Sequence, residues 1–169
     1  MPMPPEQSKN VLDPIQIVRM LDLKNGDYAA DFGSGGGYFI IPLARNVAPN
    51  GKIFAIDIQR QMLDLARAKS KLENLHDIEY IWSDLETLNG SKLKDNFVNL
   101  VLITSLLHQS QQKETIIKEA HRILMPGGRL VIIEWNAESG GTNLGPSNET
   151  RISKETAVNL CTSQSFSTQ

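Results

Sequence analysis

The sequence predicts a doubly wound α/β domain, a parallel sheet covered by helices on both faces. Three observations carry that prediction. Short β-like apolar runs alternate with segments of helical period. The β-like runs are near-continuously apolar, as strands buried on both faces are. A burst of glycines, Gly33, Gly35, Gly36 and Gly37, directly follows the first of those runs in "YAADFGSGGGYFIIPLA".

The elements follow in order. Residues 1–12, "MPMPPEQSKNVL", read as a mobile proline-rich leader, and residues 13–169 as one domain. "DPIQIVRMLDL" is a helix with Asp13 as N-cap and Pro14 at its first position, placing Ile15, Val18 and Leu21 or Met20 on one face. "KNG" closes it. "DYAADF" is the first strand, "YFIIPLARNVA" a helix, "KIFAID" the second strand and "RQMLDLARAKSKLE" a strongly amphipathic helix. "IEYIWS" and "FVNLVLIT" are the third and fourth strands, and "QKETIIKEAHRIL" is a further helix. "PGG" is expected to break that helix, and "RLVIIEW" to form the fifth strand. The polar stretch from Asn136 to Thr150 exceeds most connections in compact domains, so it is either a lid or substrate loop or a mobile surface loop.

Composition narrows the function. A chain of 169 residues suits one domain with a real core, and 40% hydrophobic with 21% charged residues is ordinary for a folded soluble protein. The formal net charge of -2 offers no footprint for a nucleic-acid backbone, which disfavours that partner. A single cysteine, Cys161, excludes a disulfide framework and a thiolate metal cluster and fits a reducing cytoplasm. No apolar run approaches the ~20 residues of a membrane span.

In an open parallel sheet, ligands bind beyond the carboxyl ends of the strands, where strand order reverses. The glycines lie there, and without Cβ atoms they accept positive φ and close approach of a ligand. A dinucleotide fingerprint, GxGxxG, would need a third glycine at Tyr38, so that spacing fails. No Gly-Lys-Ser/Thr follows either, which removes a phosphate-binding loop. What stands is Asp-x-Gly-x-Gly-x-Gly, from Asp31 to Gly37. A carboxylate ahead of the glycines suits a ligand with a cationic or amine-bearing end.

On these residues the chain resembles the class I S-adenosylmethionine-dependent methyltransferases, which share a Rossmann-like fold. "ADFGSGGG" is similar to their first motif, "IFAIDI" to the second, "WSDLE" to the adenine-contacting one, and "HRILMPGGRLVIIEW" to their helix, Pro-Gly-Gly turn and fifth strand. Within that superfamily, residues 105–135 look most like the small enzymes related to ubiquinone and menaquinone biosynthesis methyltransferases. The resemblance implies S-adenosylmethionine as cofactor and S-adenosylhomocysteine as product. It implies that Gly33, Ser34, Gly35 and Gly37 pass close to the methionyl part, with Asp31 reaching its amino group. Asp57 would accept from the ribose hydroxyls, Ile58 would pack on the adenine, and Asp84 and Leu85 would bond its edge. Thr104 and Ser105 would line the cleft near the sulfonium. The pair "SD" also reads as a helix cap.

Methyl transfer from a sulfonium is an in-line displacement that requires no metal, and a general base is needed only if the nucleophile carries a proton. His108, just beyond the fourth strand, is the candidate base; a packed or capping histidine is the bland reading. His76 and His121 read as structural. The place that holds Asn/Asp-Pro-Pro-Tyr/Phe in nucleobase-amine methylases holds "TSLL" here, and Cys161 alone cannot supply the cysteines of arsenite methylation. A small organic acceptor with a carbon or oxygen nucleophile remains, selected by the first helix, the loop near His108 and the polar loop. The alternative is a non-catalytic module that binds S-adenosylmethionine or serves as a scaffold.

Such domains usually close with a helix and an antiparallel strand pair. "ISKETAVNLCTSQ" is expected to be the helix, capped by Ser153, and no strand pair is expected in the residues that follow it, whether because the sequence omits residues, because it is a truncated product or because a partner covers the edge. The fifth strand is then expected to be an open edge, and unpaired edges invite self-association.

Overall fold

The structure is a computed structural model that describes residues 12–137 and 145–168. Its five strands are β1 (Tyr28–Phe32), β2 (Lys52–Asp57), β3 (Ile78–Trp82), β4 (Val98–Thr104) and β5 (Leu124–Ile133). The helices are α1 (Pro14–Met20), α2 (Ile40–Val47), α3 (Arg60–Leu72), α4 (Lys113–Ile123) and α5 (Lys154–Ser163). The sheet runs in the order β3-β2-β1-β4-β5, and every pairing is parallel. Strand order therefore reverses at β1, between β2 and β4. This is the Rossmann-like arrangement expected.

Alternation along the central strands divides the core between the two faces. Ala30, Phe32, Phe54, Ile56, Val101 and Ile103 face one layer, where Ile116, Ile117, Ala120 and Ile123 of α4 close over them. Ala29, Ile53, Ala55, Leu100 and Leu102 face the other, under Val18 of α1, Ile40 and Leu43 of α2, and Leu63 and Ala66 of α3. Both layers exclude water, so β1, β2 and β4 read as unbroken apolar runs.

Local chemistry sets the helix ends. Asp13 caps α1, its Oδ1 accepting from Ile15 N at 2.9 Å and Gln16 N at 3.3 Å. The buried face of α1 is Val18, with Leu21 just beyond it, while Ile15 and Met20 point to solvent. The helix stops before "KNG": Leu21 is its C-cap and Asp22 takes φ 49°, which ends helical bonding. In α2, Pro42 lies in the first turn, where its missing N–H has no intrahelical partner to lose. Ser153 caps α5 by accepting from Thr156 N at 3.1 Å.

The Pro-Gly-Gly turn departs from expectation. It does not separate α4 from the fifth strand, because β5 begins at Leu124, immediately after α4, and pairs with Val98. Register resumes with Leu100 opposite Arg129, so the intervening residues of β5 bulge outward. Gly127, at φ +80° with no atom within 4 Å of where a Cβ would stand, permits the excursion.

Of the expected leader, residues 1–11 lie outside the described residues; the Leu12 carbonyl accepts from Tyr38 Oη at 2.7 Å. Residues 138–144 of the polar stretch also lie outside them. Asn136 at its start forms a bridge with Ile152, just past its end, and Ile152 N donates to Trp135 O at 3.2 Å. Arg151 stacks over the Trp135 ring at 5.6 Å. No helix among the described residues is long and apolar enough to cross a membrane.

Candidate active site

The carboxyl ends of β1, β2 and β4 converge on the glycine loop. Asp31 on β1 pairs with Ala55 on β2, so Asp57, two residues further along β2, projects from the same face. Both acids are nearly out of water, at 2% and 7% exposure. The loop folds back over β2: Gly33 N and Ser34 N both donate to Ile56 O, at 2.9 and 3.1 Å. Asp57 holds it there, accepting from Gly35 N through Oδ2 at 2.8 Å and from Gln59 N through Oδ1 at 2.7 Å.

Glycine is required at three points of this path, Gly33, Gly35 and Gly37, all at positive φ. Gly35 takes φ +50° beside open space, whereas Gly37 takes φ +86° with Ala66 of α3 only 3.0 Å from where its Cβ would be. Gly37 thus brings loop and helix together. Gly35 leaves room.

The electrostatics of the two acids differ. Asp57 is stabilised by two backbone donors. Asp31 has no hydrogen-bonding or cationic partner among the described residues; burial, with the Asp57 charge adding to it, pushes its carboxyl up to about 7. Two further groups stand unsatisfied here: Ser34 Oγ and Thr104 Oγ1 are buried without a hydrogen-bond partner among the described residues. Two acids, two orphaned hydroxyls and an open glycine turn make a cradle for a ligand that brings positive charge and donors. The amino group and sulfonium of S-adenosylmethionine fit that demand.

The other predicted residues take up places around this cradle. Ile58, 60% exposed, follows Asp57, and its carbonyl accepts from Trp82 Nε1 at 2.9 Å. Asp84 forms a turn after β3, its Oδ1 accepting from Glu86 N at 2.8 Å, and Leu85 is buried beside it. Ser105 takes φ 52° and donates its N–H to Ile133 O at 2.9 Å, tying the end of β4 to that of β5. His121 is on the far side, edge-on to Phe166 with ring centroids 5.1 Å apart. No group of three or more His, Cys, Asp or Glu side chains that could hold a metal occurs among the described residues.

One residue of this region was missed by sequence reasoning. Glu134, directly after β5, accepts from Leu107 N at 2.6 Å and meets His108 Nδ1 at 3.0 Å. An acid ending an apolar strand, at the same sheet end as Asp31 and Asp57, was the available signal.

Comparison with known proteins agrees with this fold. The family described as a methyltransferase domain matches residues 23–165. The demethylmenaquinone methyltransferase of Geobacillus stearothermophilus is 30% identical over 118 residues, covering 70% of this chain and 49% of that protein. The ubiquinone/menaquinone biosynthesis C-methyltransferase of Escherichia fergusonii is 28% identical over 115 residues, covering 68% and 45%. The chain thus spans about half the length of these curated relatives. A crystal structure of an S-adenosylmethionine-dependent methyltransferase from Aquifex aeolicus superposes with a TM-score of 0.80 at 26% identity, covering 90% of this chain and 78% of that one.

Proposed function

The chain belongs to the methyltransferase-domain family, and from that premise we propose that it moves a methyl group from S-adenosylmethionine to a small organic acceptor in the cytoplasm, through a carbon or oxygen nucleophile. The observation that carries this reading is Asp31, buried beside Asp57 and without a partner among the described residues, where a cationic ligand would relieve both acids. The demethylmenaquinone methyltransferases among the relatives make a demethylmenaquinol the first acceptor to try.

Bound there, the cofactor supplies a methyl group on a positively charged sulfur. The chain's residues do the rest. Asp31 accepts from the amino end, with Ser34 and the backbone of Gly33, Gly35 and Gly37 around it. Asp57 accepts from the ribose while keeping Gly35 in place, Ile58 covers one face of the adenine, and Asp84 and Leu85 bond its edge. Thr104 and Ser105 line the cleft floor between β4 and β5. His108 takes the proton of an acceptor that carries one.

The test is calorimetric titration with S-adenosylmethionine, S-adenosylhomocysteine and NADH, in the wild type and Asp57→Ala, followed by transfer of labelled methyl to a short-chain demethylmenaquinol. Binding of the first two ligands only, at least ~10-fold weaker in the variant, supports the cofactor site. Binding without labelled product from any small acceptor would leave a non-catalytic module instead. NADH binding would overturn the reading.

The partner surface belongs to the same reading. β5 is one of the two edge strands among the described residues, and beside it runs a groove of about 910 Å³ lined by Leu130, Ile132, Ala157, Val158 and Phe166. We propose that a second copy of the chain pairs along this edge. A strictly monomeric sedimentation profile at high concentration would sink that.

A further inference from the structure

Glu134, at this end of the sheet, bridges the loops that follow β4 and β5. Its side chain is 7% exposed and that of His108 14%. Oε1 accepts from Leu107 N at 2.6 Å, and Oε2 faces His108 Nδ1 at 3.0 Å, with Trp135 N at 3.3 Å from the same oxygen. No lysine or arginine pairs with it among the described residues. A carboxylate can only accept, so facing one His108 would donate from Nδ1. A neutral imidazole that carries its proton on Nδ1 keeps a bare lone pair on Nε2. No described residue hydrogen-bonds to that nitrogen.

We infer that Glu134 is a positioning residue: it locks His108 in the tautomer whose free Nε2 receives the acceptor's proton. The inference rests on the reading of His108 as the base, and deepens it. In the step it serves, the acceptor's O–H or C–H bond breaks, an N–H bond forms at Nε2, and the electron pair stays on the acceptor as nucleophile. The carboxylate does not itself take the proton; it orients the ring and stabilises the imidazolium that forms, the role an acid plays behind a histidine base elsewhere.

Glu134 could instead be only a staple between the β4 and β5 loops, and one substitution separates the two roles. Glu134→Gln keeps the volume and can keep both contacts, but with one polarity reversed. Its single oxygen would go to Leu107 N–H, leaving the amide nitrogen to donate to His108 Nδ1. The imidazole proton must then move to Nε2, where it blocks the lone pair. A staple would be satisfied by this exchange; a positioning residue would not.

The experiment reads the tautomer directly, by ¹⁵N-labelled histidine correlation spectra at alkaline pH, where the imidazole is neutral. The wild type is expected to carry the proton on Nδ1 and Glu134→Gln on Nε2. A wild-type ring protonated on Nε2 overturns the inference without any variant, and an unchanged tautomer in a folded Glu134→Gln overturns it equally. The rate gives the second readout: methyl transfer to a short-chain demethylmenaquinol should fall by about 100-fold or more in Glu134→Gln, with affinity for S-adenosylhomocysteine within about twofold by calorimetry. Inversion of the tautomer with an unchanged rate would remove His108 as base and leave the orientation by Glu134 standing, so the two failures are distinct.

Discussion

Glu119 and Asp31 are both buried carboxylates, at 4% and 2% exposure, and the molecule treats them in opposite ways. Around Glu119 every need is met from within. Oε1 accepts from Ser91 N at 2.9 Å and from Arg122 Nη2 at 2.7 Å, and Oε2 accepts from Arg122 Nε at 2.8 Å. Arg122 also reaches Asp95 and the Leu93 carbonyl, fastening the β3–β4 connection to α4. Burial pushes the Glu119 carboxyl up, but the hydrogen bonds of Arg122 and Ser91 and the Arg122 charge outweigh it and hold it below the ordinary range. Around Asp31 nothing among the described residues meets the need, and its carboxyl rises to about 7. That contrast, one buried acid neutralised from within and another left bare, is what the proposed role of Asp31 in holding a cationic ligand calls for.

The largest effect comes from breaking the satisfied side. Arg122→Ala strands Glu119 as an uncompensated buried charge and should destabilise the fold by about 3–5 kcal/mol in urea melts at pH 7. The sign of the pH dependence follows from the lowered Glu119 carboxyl: its stabilisation is present above the unfolded value near 4.5 and is lost as pH falls through the lower folded value. The variant should lose that dependence. A melt unmoved by Arg122→Ala would mean that the network contributes little and the contrast with Asp31 is empty.

The next effect comes from the bare side and has the opposite sign. A folded-state value of about 7 against 3.8 means that stability is lost as pH rises from about 4 to about 7. Asp31→Asn should therefore stabilise the ligand-free fold at pH 8, on the order of 2 kcal/mol, while S-adenosylmethionine binding falls at least ~10-fold. In the wild type, affinity for the cationic ligand should rise as pH passes upward through about 7; in the variant that slope should vanish. Destabilisation by Asp31→Asn would make this acid part of the fold rather than of the site.

Which parts of this were legible in the sequence follows from range. β1, β2 and β4, the glycine loop and the Asp13 and Ser153 caps are local patterns, and they stand where periodicity and cap chemistry put them. The bulge at Pro126 was not legible, because a Pro-Gly-Gly triplet reads as a break between elements; only Val98 pairing with Leu124 shows that the strand has already begun. The exposure of Ile15 depends on how α1 lies on α2, which helical spacing alone does not specify. Asp57 holding Gly35, and Glu134 holding His108, are contacts 22 and 26 residues apart whose partners only the sheet brings together.

The finest separation of the two regions uses two serines. Ser34 Oγ is buried with no partner among the described residues, whereas Ser91 Oγ donates to Glu119 at 2.5 Å. Removing a satisfied hydroxyl leaves Glu119 short of a donor, so Ser91→Ala should destabilise by about 1–3 kcal/mol with no change in cofactor affinity. Removing an unsatisfied one costs the fold nothing, so Ser34→Ala should leave the urea midpoint unchanged or raise stability by up to ~1 kcal/mol. Its cost should appear only in the titration, as a fall of about 5- to 10-fold in S-adenosylmethionine affinity, the equivalent of one hydrogen bond. If Ser34→Ala instead lowers stability and spares binding, the hydroxyl serves the loop itself, and the cradle loses one of the two orphaned groups that argue for a ligand.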